Sequence, residues 1–134
     1  MPKELILKKL EQIKELLNEL EQLLSLPFEN FRKDLKIIRA SERNFQLVVD
    51  LAGDINTQIL VEKNKKTPDT YKQSFVDIAG EIDFENDLLQ KLIRSAGIRN
   101  ILVHEYDFDE DYEKFYNAAK ELIPAYNQYI KIIY

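Results

Sequence analysis

"LEQIKELLNELEQLL", residues 10–24, places Leu10, Ile13, Leu17, Leu20 and Leu24 at steps of three and four, with Glu, Lys, Gln and Asn filling the positions between them. That spacing follows the 3.6-residue turn of an α-helix and not the two-residue alternation of a strand. It predicts a first helix over about residues 3–24, ended by Pro27, whose ring cannot continue the hydrogen-bond ladder. The stripe spans barely three heptads, so it reads as one face of an intramolecular bundle and not as a coiled-coil seam between chains.

The same period recurs downstream. Starting near Asp34, a longer segment sets Ile37, Ile38, Phe45, Val48, Val49, Leu51, Ala52, Ile55 and Ile59 on a broad apolar stripe. It should stop before "EKNKKTPDT", residues 62–70, a polar, Lys-rich stretch with a proline that reads as a loop. "TYKQSFVDIA", residues 70–79, reads as a short helix with Tyr71, Phe75 and Ile78 on one side and Gly80 at the C′ position. Asp83 is the expected cap of the next helix, whose stripe of Leu88, Leu89, Leu92 and Ile93 runs up to Gly97. A last helix is expected from about Asp109 through Phe115, Leu122 and Tyr126, with Pro124 kinking or dividing it. The expectation is an all-α, antiparallel bundle of about five helices forming one domain over residues 1–134.

Composition narrows the chemistry. With 134 residues, no cysteine and a single histidine, thiolate metal ligands and disulfides are ruled out, and no metal or other cofactor is expected. There is no apolar run near the ~20 residues that span a bilayer and no charged-then-apolar leader, so a cytoplasmic protein is expected, with no membrane partner. The net charge of −5 excludes a broadly basic surface for nucleic acid, so any such contact must be local. Charge is uneven: residues 1–66 carry +1 and residues 67–134 carry −6. The densest basic groups are Arg32–Arg43 and the Lys63–Lys66 loop, which read first as solvated surface charge.

The lone histidine lies in "RNILVHEY", residues 99–106. Projected on a helix at about 100° per residue, Arg99, Val103 and Tyr106 fall together, and Asn100, His104 and Asp107 form an adjacent wedge. Ile98, Ile101 and Leu102 fall opposite and are expected to be buried. Arg99 and His104 diverge by about 140°, so either Arg99 reaches across with its long side chain or a two-fold dimer assembles the pair. The residue types suit phosphodiester chemistry. A histidine titrating near pH ~6.5 can take a proton from a ribose 2′-hydroxyl or return one to a leaving 5′-oxygen. Arg99 can stabilise phosphate charge, and Asn100 can add hydrogen bonds. By spacing alone, such a pair is more often a surface or interface feature than a catalytic one.

The pattern Arg99, four residues, His104, one residue, Tyr106 resembles the signature of the HepT-like branch of the HEPN superfamily at every fixed position. "RASERNFQLVVDLAGDIN" (residues 39–56) resembles that family's second-helix segment with its internal Asp, and "TYKQSFVDIAGEI" (residues 70–82) its Tyr-x-x-x-Phe segment. The resemblance implies a metal-independent ribonuclease toxin of a type VII toxin–antitoxin system. On that reading Arg99 and His104 cut RNA in a cleft shared by two copies, with Asn100 supporting. It also implies a minimal nucleotidyltransferase (MntA-like) antitoxin that transfers AMP to the motif tyrosine, here Tyr106. The alternative is a non-catalytic HEPN module that binds a nucleotide or that partner. Five acidic residues in "DFDEDYE" (residues 107–113) adjoin the motif. Asp109–Asp111 are expected to cap the last helix, and Asp107 would repel phosphate if it pointed inward.

Overall fold

A computed structural model describes residues 3–104 and 111–134, with His104 placed by its backbone alone. Six helices follow one another: α1 (Lys3–Leu23), α2 (Phe28–Phe31), α3 (Leu35–Glu62), α4 (Tyr71–Ile78), α5 (Asn86–His104) and α6 (Tyr112–Ile133). No strand occurs among the described residues.

The bundle follows from where the apolar stripes can go. Ile13, Leu17 and Leu20 of α1 are buried against α3 and α6, so the first stripe is satisfied within the chain. The 28-residue α3 is the central element, contacting α1, α4 and α5. Asp34 starts it by accepting hydrogen bonds from the backbone N–H of Lys36 and Ile37, two donors the first turn cannot satisfy itself. It ends at Asn64, whose φ of 59° lets the Asn64 and Lys65 N–H groups turn back to the Val61 and Leu60 carbonyls. The 62–70 loop begins there, and Thr70 caps α4 by accepting from the Gln73 N–H.

Three expectations are corrected and one is qualified. The extra helix is α2, one turn after Pro27; Phe31 is fully buried and its ring lies 5.0 Å from that of Tyr116, which anchors a turn too short to show periodicity. Gly80 stands at the expected C′ position but without the left-handed conformation that usually goes with it; α4 closes by short turns in which Gly80 and Glu81 donate to the Asp77 and Ile78 carbonyls. Asp83 does not cap α5, which starts at Asn86, because Phe84 is pulled onto the core and its ring stacks 6.3 Å from Tyr129. Pro124 does not divide α6: it sits on the exposed side, where the Lys120 carbonyl it leaves unpaired can meet water, while Ile123 and Tyr126 hold both halves to one core. The last helix starts at Tyr112, with Asp111 as its cap accepting from the Lys114 N–H. Asp107 and Asp109 lie outside the described residues.

Two tyrosines of α6 supply the polar pins of the core. The Tyr126 hydroxyl donates to Ser95 Oγ at 2.6 Å, since Ser95 spends its own proton on the Leu92 carbonyl. The Tyr129 hydroxyl lies 2.6 Å from Asn56 Oδ1 and 3.1 Å from the Ala52 carbonyl. Asn56 in turn donates to Ser74 Oγ, and Ser74 to the Tyr71 carbonyl, so one relay joins α6, α3 and α4. Burial raises the pKa of both phenols above the usual value. Folding free energy is therefore expected to be independent of these groups below pH ~10, where both states keep the proton. Above it the unfolded chain ionises first and stability falls with rising pH. Phenolate absorbance at 295 nm followed alongside helicity should show these tyrosines titrating only as the helices melt.

Candidate active site

α5 decides the site. Its core-facing stripe is Leu88, Leu92, Ser95 and Ala96, all buried. Continuing that stripe by the helical period brings Arg99 to within about 20° of Leu92 and sends Ile101 to the far side. Arg99 accordingly turns inward between α3 and α4, and Ile101 is 52% exposed. The expected burial of Ile98, Ile101 and Leu102 is thus reversed for Ile101, while Ile98 and Leu102 are only half-buried. The physical reason is that α6 lies beside this end of α5 without covering it. Together the two helices leave an open, mostly apolar groove of about 850 Å³ whose lining includes Ile98, Ile101, Leu102 and Phe115 along with the charged Arg94 and Lys114.

Around Arg99 four groups converge. Its Nε donates to Asp50 Oδ1 of α3 at 2.7 Å, and its Nη1 to Asn100 Oδ1 at 3.2 Å. Its guanidinium carbon stands 5.0 Å from the centroid of the Tyr71 ring, a cation–π distance. The Tyr71 hydroxyl donates to Asp54 Oδ1 at 3.2 Å. Asp50 and Asp54 are four residues apart and share one flank of α3, so one carboxylate meets the arginine and the next meets the tyrosine. The Arg99–Asp50 pair is about four-fifths shielded, with side-chain exposures of 18% and 21%. Burial first, then the charges of Asp54 and Asp50, raise the Tyr71 pKa, opposed by Arg99. Tyr71 is therefore a neutral hydrogen-bond donor at neutral pH.

Gly53 makes the close approach of α4 possible. A Cβ there would stand 1.9 Å from Tyr71 Cδ1, inside the ring's own volume. Thr70 fixes where α4 begins and the Asn56–Ser74 relay fixes its rotation, so the ring arrives at a defined place.

Of the residues singled out from sequence, Arg99 and Asn100 are brought together. His104 is the last residue of α5, with its side chain outside the described residues, and Tyr106 lies outside them altogether. Asp50, Asp54 and Tyr71 were not foreseen as site residues. The available signal was the pair of aspartates one turn apart on an otherwise apolar helix, together with Arg99 falling on the buried stripe. Arg32 pairs with Glu29 as exposed surface charge, whereas Arg39 pairs with Glu42, whose side chain is only 12% exposed. Among the described residues no three His, Cys, Asp or Glu side chains are grouped to hold a metal, and no helix is long and apolar enough to cross a membrane.

A helical bundle whose Arg-x4-His helix sets its arginine against a carboxylate of the central helix defines a class, and comparison with known proteins gives the same class. Residues 8–133 match the family described as ribonuclease HepT-like. The chain belongs to that family, and the expectation of an RNA-cleaving enzyme stands with it. A tRNA nuclease HepT from Aphanizomenon flos-aquae (strain 2012/KM1/D3) is 27% identical over 125 residues, covering 93% of this chain and 84% of the relative. Among solved structures, the tri-AMPylated Shewanella oneidensis HEPN toxin in complex with MNT antitoxin superimposes with a TM-score of 0.87 at 22% identity, over 99% of this chain and 98% of that one. A toxin–antitoxin structure with AMP-PNP gives 0.86 at 21% identity, over the full length of both chains. At such identities these structures attest the fold.

Proposed function

We propose that this ribonuclease is the toxin of a type VII toxin–antitoxin pair that cleaves RNA without a metal. Arg99 and His104 carry the cleavage in a cleft between two copies, and AMP transfer to Tyr106 by a minimal nucleotidyltransferase antitoxin silences it. The observation that carries this reading is the inward, three-partner anchoring of Arg99 five residues before the histidine that ends α5. A guanidinium fixed there offers its remaining N–H groups to a phosphodiester and stabilises charge building on the oxygens. The His104 imidazole accepts the proton of the attacking 2′-hydroxyl and returns one to the departing 5′-oxygen. Asn100 gives its oxygen to Arg99 and keeps its amide N–H groups for the phosphate.

The name of the Aphanizomenon relative makes tRNA the substrate to assay first. An adenylyl group on Tyr106 would add bulk and a negative phosphate where RNA phosphates must enter, so exclusion needs no refolding.

Intact-mass spectrometry tests the switch on protein expressed with and without a nucleotidyltransferase antitoxin, with peptide mapping of residues 99–114. Gains in steps of about 329 Da, the mass of an adenylyl group, are expected on Tyr106 only in the co-expressed protein, together with loss of tRNA cleavage. An unmodified Tyr106 beside an active antitoxin that still blocks cleavage would replace covalent silencing by inhibition through binding.

A further inference from the structure

We propose that Asp50 is a positioning residue for RNA cleavage: it holds the Nε edge of Arg99 so that only the two terminal nitrogens are presented to the phosphate. The proposal rests on the ribonuclease reading above and adds a residue to its machinery. A guanidinium can pair with a phosphate through its Nε side or through its Nη1/Nη2 end. Asp50 Oδ1 occupies the Nε position at 2.7 Å, so the side-on mode is closed. The Tyr71 ring covers one face of the group at 5.0 Å, and Asn100 takes a single N–H of Nη1. What remains among the described residues is Nη2 and the second N–H of Nη1, an end-on fork.

The partial burial of the pair gives it a second consequence. Two charges shielded to about four-fifths attract each other more strongly than exposed ones, but the carboxylate also offsets part of the positive charge that would draw RNA. Asp50 therefore weakens ground-state attraction for phosphate while fixing the orientation the transition state needs, a division that favours turnover over binding. The frame behind it is rigid. Asp50 projects from the central helix, and Asp54, one turn on, ties down the hydroxyl of the ring that covers one face of the guanidinium.

The test is steady-state tRNA cleavage by the full-length wild type and by D50A, D50N and R99A, with thermal melts of each. D50A is expected to lose about 10- to 100-fold in kcat, as a freed reactive group misplaced by an ångström does. Its KM should be unchanged or lower, because the released guanidinium binds phosphate more strongly. D50N keeps an acceptor for Nε and should recover most of the loss in kcat. A D50A enzyme with wild-type kcat, or one whose KM rises while kcat holds, overturns the proposal. So does a D50N enzyme as slow as D50A. Should D50A fail to fold, the wild-type Arg99 Nε–H resonance in ¹⁵N NMR decides. A resolved, slowly exchanging signal shifted by D50N is expected, and a signal averaged with exposed arginines overturns the pairing. A wild type indistinguishable from R99A on RNA would instead remove the ribonuclease reading itself, a pattern separate from an active wild type matched by D50A.

Discussion

Replacing His104 by Ala is expected to lower RNA cleavage by about 10²- to 10⁴-fold, the usual contribution of a positioned general acid–base. Folding should be preserved. His104 is the terminal residue of α5, and the helix is held by Leu88, Leu92 and Ala96, all upstream and buried. A melt matching the wild type within a degree or two, combined with lost cleavage and lost growth arrest, is the expected result. Binding of an antitoxin partner should survive the substitution. The pH–rate profile adds a second check, since wild-type cleavage should fall on the acid side as a single imidazole takes up its proton, and the sequence holds no other histidine. Retained cleavage in His104→Ala would remove His104 from the chemistry, whereas a wild type that cuts no RNA while still binding its partner would transfer the protein to the non-catalytic alternative, in which the motif helix serves binding.

Gly53→Ala is expected to have the largest effect on stability of an alanine placed at any of the three glycines, since an added Cβ meets nothing closer than 3.4 Å at Gly80 and nothing within 4 Å at Gly97. The new Cβ would overlap the Tyr71 ring, at 1.9 Å from Cδ1, 2.6 Å from Cε1 and 2.8 Å from Cγ. A flat ring cannot fold away as a flexible chain end can, so either Tyr71 leaves its place or α4 moves from α3. Overpacking of this kind costs about 1–3 kcal/mol, occasionally more. It acts against the ~1 kcal/mol by which alanine improves on glycine inside a helix. Urea denaturation should show a lower midpoint at unchanged slope. Because Tyr71 is also the cation–π face for Arg99, cleavage should fall with it. Truncating the ring in the double variant G53A/Y71A should restore much of the stability and none of the activity. A single variant as stable as wild type would mean that α4 is not seated against Gly53.

The two substitutions probe the two halves of the site, and the halves differ in how far the sequence reveals them. His104 and Arg99 are legible because they lie on one helix at a fixed spacing. Asp50, Asp54 and Tyr71 come from other helices and were visible only as stripe residues or as an internal Asp. Nothing in a linear pattern says that the flank of α3 bearing two carboxylates will face the inward side of α5, since that depends on the rotation of each helix about its own axis. The rotation of α5 was the particular misreading. Counting Ile98, Ile101 and Leu102 as the buried side ignored the stronger upstream stripe of Leu88, Leu92 and Ala96, which sets the phase for all nineteen residues of the helix.

By itself the sequence determined the all-helical class, most of the helix ends and the chemistry of the motif. Those rest on local facts: a 3.6-residue period, caps that bond to their own first turn, and a side-chain inventory with one imidazole and no thiol. Only the tertiary structure decided the α2 turn, the start of α5, the continuity of α6 through Pro124 and the direction of Arg99. Each of these depends on what packs across from a residue: Tyr116 against Phe31, Tyr129 against Phe84, the core against both sides of Pro124, and Asp50 with Tyr71 against Arg99. Such partners lie 28 to 85 positions apart along the chain, so close packing brings together groups that sequence proximity cannot.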